Sequence, residues 1–214
     1  AGSTSVWNVY YNGALYGSAP VITTAQYPGI GPRNSNFIAK SNWAGDGQMY
    51  GKITDFRIYN RVLSSTEATA LYNGNYSSVS TADLYFSTNF ALNSPQIYTP
   101  SHSTDATQLG RLYNGASLST DTYKFGTSSL FLSNYSTTTN PAYTSGIGYG
   151  QYMSTIAPLP KLGTNGTSIS FWWKSAGAQA SSSVVFYFSE DANNSISLFI
   201  GNSPTIKLIY SDGS

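Results

Sequence analysis

Apolar and polar residues alternate through several short runs of this chain, and Gly, Pro, Asn or Ser closes most of them. A period of two places successive side chains on opposite faces and marks a strand with one buried face. Residues 5–11 and 14–17 flank Asn12-Gly13. That pair predicts a two-residue hairpin turn, whose central positions both need positive φ. Proline and glycine make 18–36 a loop, with a short strand after it at 37–40. A glycine-rich loop over 41–51 leads into the firmest strand, 52–59. There Phe56 and Ile58 face one way, and Asp55, Arg57 and Tyr59 the other.

The period then changes to that of a helix, over 65–72. Ser64 caps it and Glu67 completes a capping box. Leu63, Ala68, Leu71 and Tyr72 are expected to pack inward, and Gly74 to end the helix. Residues 76–82 are polar and read as a linker. Further strands are expected at 83–86, 129–132, 151–153, 168–174, 184–189, 195–201 and 205–210, with weak strands inside the loop-like stretch 94–121. Many short strands and one short helix define an all-β, antiparallel β-sandwich or jelly roll.

Composition narrows the job more than the fold. Eighteen Tyr, 10 Phe and 4 Trp supply an aromatic core, while only 9% of residues are charged. An ordinary domain is roughly 25% charged. The polar surface is therefore Ser, Thr, Asn and Gly, as in extracellular and capsid-like proteins. Ten Lys and Arg nearly balance nine Asp and Glu, and the basic residues are scattered. No stripe exists to neutralise a phosphate backbone, so nucleic acid is an unsuitable partner. The absence of Cys excludes disulfides and thiolate metal sites. No apolar run approaches the roughly 20 residues of a membrane span. The first residues lack signal-peptide character, and the chain is read as a processed piece or a segment of a longer protein.

Catalysis finds little support. The two Glu, Glu67 and Glu190, sit on the helix and in a loop, so no strand offers the paired carboxylates of a retaining glycosidase. His102, the single histidine, lies in a loop beside Ser101, Ser103 and Asp105, which as near neighbours do not make triad geometry. Zinc is excluded by the same count. Calcium accepts oxygen ligands, and Glu190, Asp191 and Asn193 offer them in one loop, as does Asp46. A plain polar turn suits these residues better. Sugar rings present apolar C–H faces that stack on aromatic rings. Trp7, Tyr11, Trp43, Tyr50 and Trp172 are the candidates. Trp7 and Trp172 lie among apolar strand neighbours and suit a core. Trp43, Tyr50 and Asp46, in the glycine-rich loop, are the expected ligand-binding set. Asn75, Asn134, Asn165 and Asn193 begin glycosylation sequons in expected loops.

The segment 51–64 resembles the closing segment of laminin-G-like domains, members of the concanavalin-A-like lectin/glucanase superfamily. Residues 5–17 resemble the hairpin of the same half of that domain. Asp83-Leu84-Tyr85-Phe86, residues 123–132 and residues 168–174 resemble its opening half. The resemblance thus covers most of the chain in swapped order: 1–75 as a C-terminal half, 83–214 as an N-terminal half. One family strand, expected after Tyr210 and before Trp7, has no counterpart. A cut through a tandem array, a closed permuted sandwich and exchange of halves between copies all fit this order.

The resemblance implies a concanavalin-A-like fold and a noncatalytic surface module that binds glycan or mediates adhesion, on a cell or a virion. Its partners would be glycans or neighbouring protein subunits. The alternative is a purely architectural subunit of a capsid, fibre or filament that pairs with neighbours through strand exchange.

Overall fold

The computed structural model describes residues 7–18, 35–40, 49–88, 90, 97–98, 110–113, 116–120, 124, 128–132, 152–155, 166–175, 183–189, 194–200 and 206–212. The chain opens with β1 (Asn8–Tyr11), β2 (Ala14–Ser18), β3 (Ser35–Ile38), β4 (Gly51–Tyr59) and helix α1 (Ser65–Tyr72). Next come β5 (Leu84–Thr88), β6 (Ile97–Tyr98), β7 (Gly110–Tyr113), β8 (Ser117–Ser119) and β9 (Ser129–Leu132). The last are β10 (Tyr152–Thr155), β11 (Ser168–Ser175), β12 (Ser183–Ser189), β13 (Asn194–Ile200) and β14 (Ile206–Asp212).

The Asn-Gly turn forms as expected. Asn12 and Gly13 take φ of 52° and 77°, and Tyr11 pairs with Ala14 across the turn. Helix α1 has both halves of its capping box, with Glu67 N–H donating to Ser64 Oγ and Ser64 N–H donating to Glu67 Oε2. It ends in a Schellman arrangement. Gly74, at φ 73°, donates to the Leu71 carbonyl and Asn75 donates to the Ala70 carbonyl. Leu63 and Leu71 are buried with Tyr59 and Val79. Ala68 is only half-buried, and Ala70 packs against that cluster instead. The polar stretch after the helix is structured too. Tyr76–Ser78 form a 3-10 turn, Val79 is buried, and Asn60 donates to the Asp83 carbonyl at 2.8 Å.

Two larger sheets face each other. A seven-stranded sheet runs β14-β13-β12-β3-β10-β7-β6, and a five-stranded sheet runs β11-β4-β9-β8 with β5 also on β4. Every described pair is antiparallel except β6 with β7. Strand β3 lies between β12 and β10. Strand β4 has β11 along one side, and β9 and β5 share the other. Both central strands come from the first third of the chain, and their neighbours come from the rest. The core between the sheets draws Ile38, Met153 and Phe186 from one side and Ile53, Phe56 and Leu130 from the other. Phe56 contacts the rings of Phe86, Phe171, Phe186 and Phe188.

Two irregularities aim the side chains. In β4, Asp55 and Phe56 stand opposite Phe171 alone, because the register shifts there. Asp55 holds φ 50°, the left-handed first position of a bulge, which Asp tolerates better than most residues. The extra residue resets the alternation, so Ile53, Phe56 and Ile58 all enter the core. In β12 the ladder shifts at Val185, whose carbonyl accepts from Ala39 N–H at 2.7 Å. Ala39 has φ 71°.

Candidate functional site

The outer face of the seven-stranded sheet is aromatic. Phe37 is opposite Tyr187 on one side and Ser154 on the other. Residues paired across an antiparallel ladder share a face. The Phe37 ring stacks on Tyr187 at 6.4 Å and meets Tyr152 edge to face at 5.5 Å. Val184, Tyr187 and Phe199 form a buried cluster on this face, with Phe37 against it. Phe37, Tyr152 and Ser154 remain half-exposed.

Strand β3 would carry Lys40 toward the core if its alternation continued. The left-handed turn at Ala39 breaks that alternation. Ile38 and Ala39 are both buried in the core, and Lys40 returns over the outer face. Its ammonium sits 4.8 Å from the Phe37 centroid and 4.5 Å from that of Tyr152. Ring faces attract a cation, by about 0.5–1 kcal/mol at exposed sites and more where water is excluded. Desolvation lowers the Lys40 pKa from its ordinary value. Among the described residues no carboxylate pairs with it. The Tyr187 hydroxyl and Ser189 Oγ are buried and also lack a hydrogen-bond partner among the described residues. The site thus combines a ring surface, hydroxyls and one cation.

The outer face of the five-stranded sheet is built differently. Arg57 Nε donates to Asp55 Oδ1 at 2.8 Å, an ion pair that their shared face allows, and the Arg57 guanidinium lies 4.1 Å over Tyr76. Burial, with the Asp55 carboxylate nearby, pushes the Tyr76 pKa up. Trp172 tilts against Tyr72 at 5.3 Å, and Lys124 lies 4.5 Å from both rings. The hairpin rests on α1 here, where Thr69 Oγ1 donates to the Gly13 carbonyl at 2.8 Å. This cluster ties the hairpin, the helix and the 3-10 turn to the sheet. The placement of Trp172 corrects the core reading of that residue. Its neighbours Phe171 and Trp173 pack against the core, and alternation puts Trp172 outside. Trp7 does pack against the core.

The expected ligand-binding set divides. Tyr50 is half-buried just before β4, and Trp43 and Asp46 lie outside the described residues. The calcium candidates Glu190, Asp191 and Asn193 lie outside them as well, as do His102, Asn134 and Asn165. Among the described residues no group of three His, Asp or Glu could hold a metal ion. Asn75 is exposed, and its Oδ1 accepts from Ser77 Oγ, the hydroxyl of its own sequon, at 3.0 Å. Glu67 is bound by Arg61 through both carboxylate oxygens, at 2.6 and 2.9 Å. Phe37, Tyr152, Tyr187 and Lys40 were missed as site residues. The sequence marked a short strand at 37–40, but nothing in it revealed the turn at Ala39 that brings Lys40 over Phe37.

Two sheets, antiparallel except for the β6–β7 pair and packed face to face, with a single short α-helix among the described residues, define a β-sandwich of the lectin type. Residues 2–69 match the laminin-G family model of the Concanavalin A-like lectin/glucanases superfamily. The match contains both β3 and β4, the central strands of the two sheets. No curated protein and no solved structure matches the chain.

Proposed function

We propose that the chain is a noncatalytic, glycan-binding module of an extracellular or virion surface protein. The observation that carries this reading is the half-exposed Phe37–Tyr152 pair on the outer face of the seven-stranded sheet, beside Ser154 and under Lys40. Ring faces take the C–H side of a sugar, and neighbouring hydroxyl and ammonium groups take its oxygens. The family of residues 2–69 supports a carbohydrate-binding or adhesion role. Trp43, Tyr50 and Asp46 are a second proposed contact set, and Glu190, Asp191 and Asn193 the proposed calcium ligands.

We read residues 1–75 and 83–214 as the two halves of a laminin-G-like domain in swapped order, closed on each other where β3 and β4 pair with strands of the second portion. One observation favours the architectural alternative. Tyr11, Leu15 and Tyr16 on the hairpin are 49%, 56% and 56% exposed. Such a surface suits contact with a neighbouring subunit.

A glycan array read beside sedimentation at several concentrations separates the two. Binding that falls at least about tenfold in Tyr152→Ala, the order of a lost stacking contact, supports recognition. Absence of binding together with concentration-dependent association overturns it in favour of assembly.

A further inference from the structure

Of the four glycosylation sequons in the sequence, Asn75-Tyr76-Ser77 falls wholly among the described residues. It follows α1, where the chain enters the Tyr76–Ser78 3-10 turn. The Schellman arrangement fixes its first residue by the backbone, through Asn75 N–H on the Ala70 carbonyl at 2.9 Å. The middle residue is anchored. Tyr76 is half-buried, with the Arg57 guanidinium 4.1 Å over its ring. Holding Tyr76 inward leaves its two neighbours outside, and Asn75 and Ser77 are both exposed.

The polar side chains of those two residues bond each other rather than the rest of the described fold. Asn75 stands at the N-cap position of the 3-10 turn, where Asn often caps through its side chain. It makes no capping bond there. Its Oδ1 accepts instead from Ser77 Oγ at 3.0 Å. The hydroxyl that completes the sequon is thus held against the amide. The bond takes the amide oxygen, so the nitrogen, the atom that would be modified, is not the one engaged. A surface turn with an accessible amide and a hydroxyl two residues on is what an N-glycan acceptor requires. Composition supplies a use for it. With 9% charged residues and a net charge of +1, the chain has little electrostatic repulsion to hold copies apart. A bulky, hydrated glycan keeps such a surface in solution.

We propose that Asn75 is an N-glycan acceptor. In the transfer, Asn75 Nδ2 bonds to the anomeric carbon of a polyprenyl-diphosphate-linked oligosaccharide. The bond from that carbon to the diphosphate oxygen breaks, the polyprenyl diphosphate leaves, and Nδ2 gives one proton to a base of the transferring enzyme. The inference rests on the extracellular part of the reading above and is independent of ligand binding at Phe37 and Tyr152. Those rings lie on the outer face of the seven-stranded sheet, whereas α1 and the turn after it pack on the five-stranded sheet. A glycan on Asn75 therefore leaves the aromatic face open.

The test translates the full chain, behind a cleavable secretion leader, into microsomes that carry an oligosaccharyltransferase. Only chains protected from added protease are scored, so every scored chain has met the enzyme. Digestion with a peptide-N-glycosidase in heavy-oxygen water then converts each glycosylated Asn to a labelled Asp, and peptide mass spectrometry locates the label. The proposal expects a label at Asn75 in most scored chains. Asn75→Gln and Ser77→Ala should each lose that label and keep any other. Ser77→Thr, which keeps the hydroxyl, should retain it. Because the acceptor is exposed, the native glycosylated chain should match Asn75→Gln in circular dichroism and unfold at no lower temperature. Scored chains with Asn75 unlabelled overturn the proposal, as does a glycosylated chain that unfolds below Asn75→Gln, since the turn would then have no room for a glycan. Neither result touches the array comparison of the native chain with Tyr152→Ala, so failure here is distinct from failure of the glycan-binding reading.

Discussion

Glu67 shows how one residue of this chain couples a helix terminus to pH. Its carboxylate accepts from Arg61 through both oxygens and from the Ser64 backbone. The Arg61 hydrogen bonds, then that of Ser64, pull its pKa from 4.5 down to about 2. A carboxylate with a depressed folded pKa stabilises the protein above its unfolded value. The contribution is therefore complete above pH 4.5 and fades as the pH falls toward 2. Both side chains remain accessible to water, so the effect is about 1 kcal/mol and shrinks with salt. Urea titrations at several pH values should show Glu67→Gln to be less stable than the native chain at pH 6, with the gap closing near pH 2. A gap that stays constant with pH would refute the assignment. This part of the chain was legible, because a capping box is a local pattern and its partners sit three residues apart. The Lys40 site was not legible, because it depends on one left-handed residue and on rings from β10 and β12, far along the chain.

At the scale of elements, β4 is the strand on which the five-stranded sheet depends. It carries β11 on one side and both β9 and β5 on the other. Its start is sterically constrained. Gly51 has φ 149°, and a Cβ added there would collide with the Lys174 carbonyl oxygen of β11. Gly51→Ala should therefore push β11 away at one end of the ladder and cost about 2–4 kcal/mol, the range of strained backbone and overpacking. Thermal unfolding of that variant measures it, and an unchanged midpoint would mean that β11 moves freely. The position of this strand and the facing of Asp55, Arg57 and Tyr59 could be read from alternation. Ile53 breaks that alternation, since strict parity places it with Asp55, yet it lies in the core with Phe56. The reason is the extra residue at Asp55, and a non-glycine bulge leaves no clear mark in the residue pattern. Trp172 was misassigned for a related reason: three consecutive large apolar residues look equally fit for burial until a face is chosen.

At the scale of the molecule, the two portions of the chain are interdependent. Among the described residues, the first portion provides a hairpin, β3 and β4, and β3 and β4 do not pair with each other. Each instead completes a sheet made by strands of the second portion. Removing β3 would separate β12 from β10, and removing β4 would separate β11 from β9 and β5. Phe56 joins these elements further, packing against rings from β5, β11 and β12 at once. A lone hairpin is marginal in water, and a sheet interrupted at its centre exposes unpaired backbone edges. Expressed separately, residues 1–80 and 83–214 should each lack cooperative unfolding, and 83–214 should aggregate through its open edges. Mixed or co-expressed, they should recover one cooperative transition with a concentration-dependent midpoint. A folded, monomeric 83–214 with its own sharp transition would show that the central strands are accessories, and would return the chain to a pair of neighbouring, self-sufficient pieces.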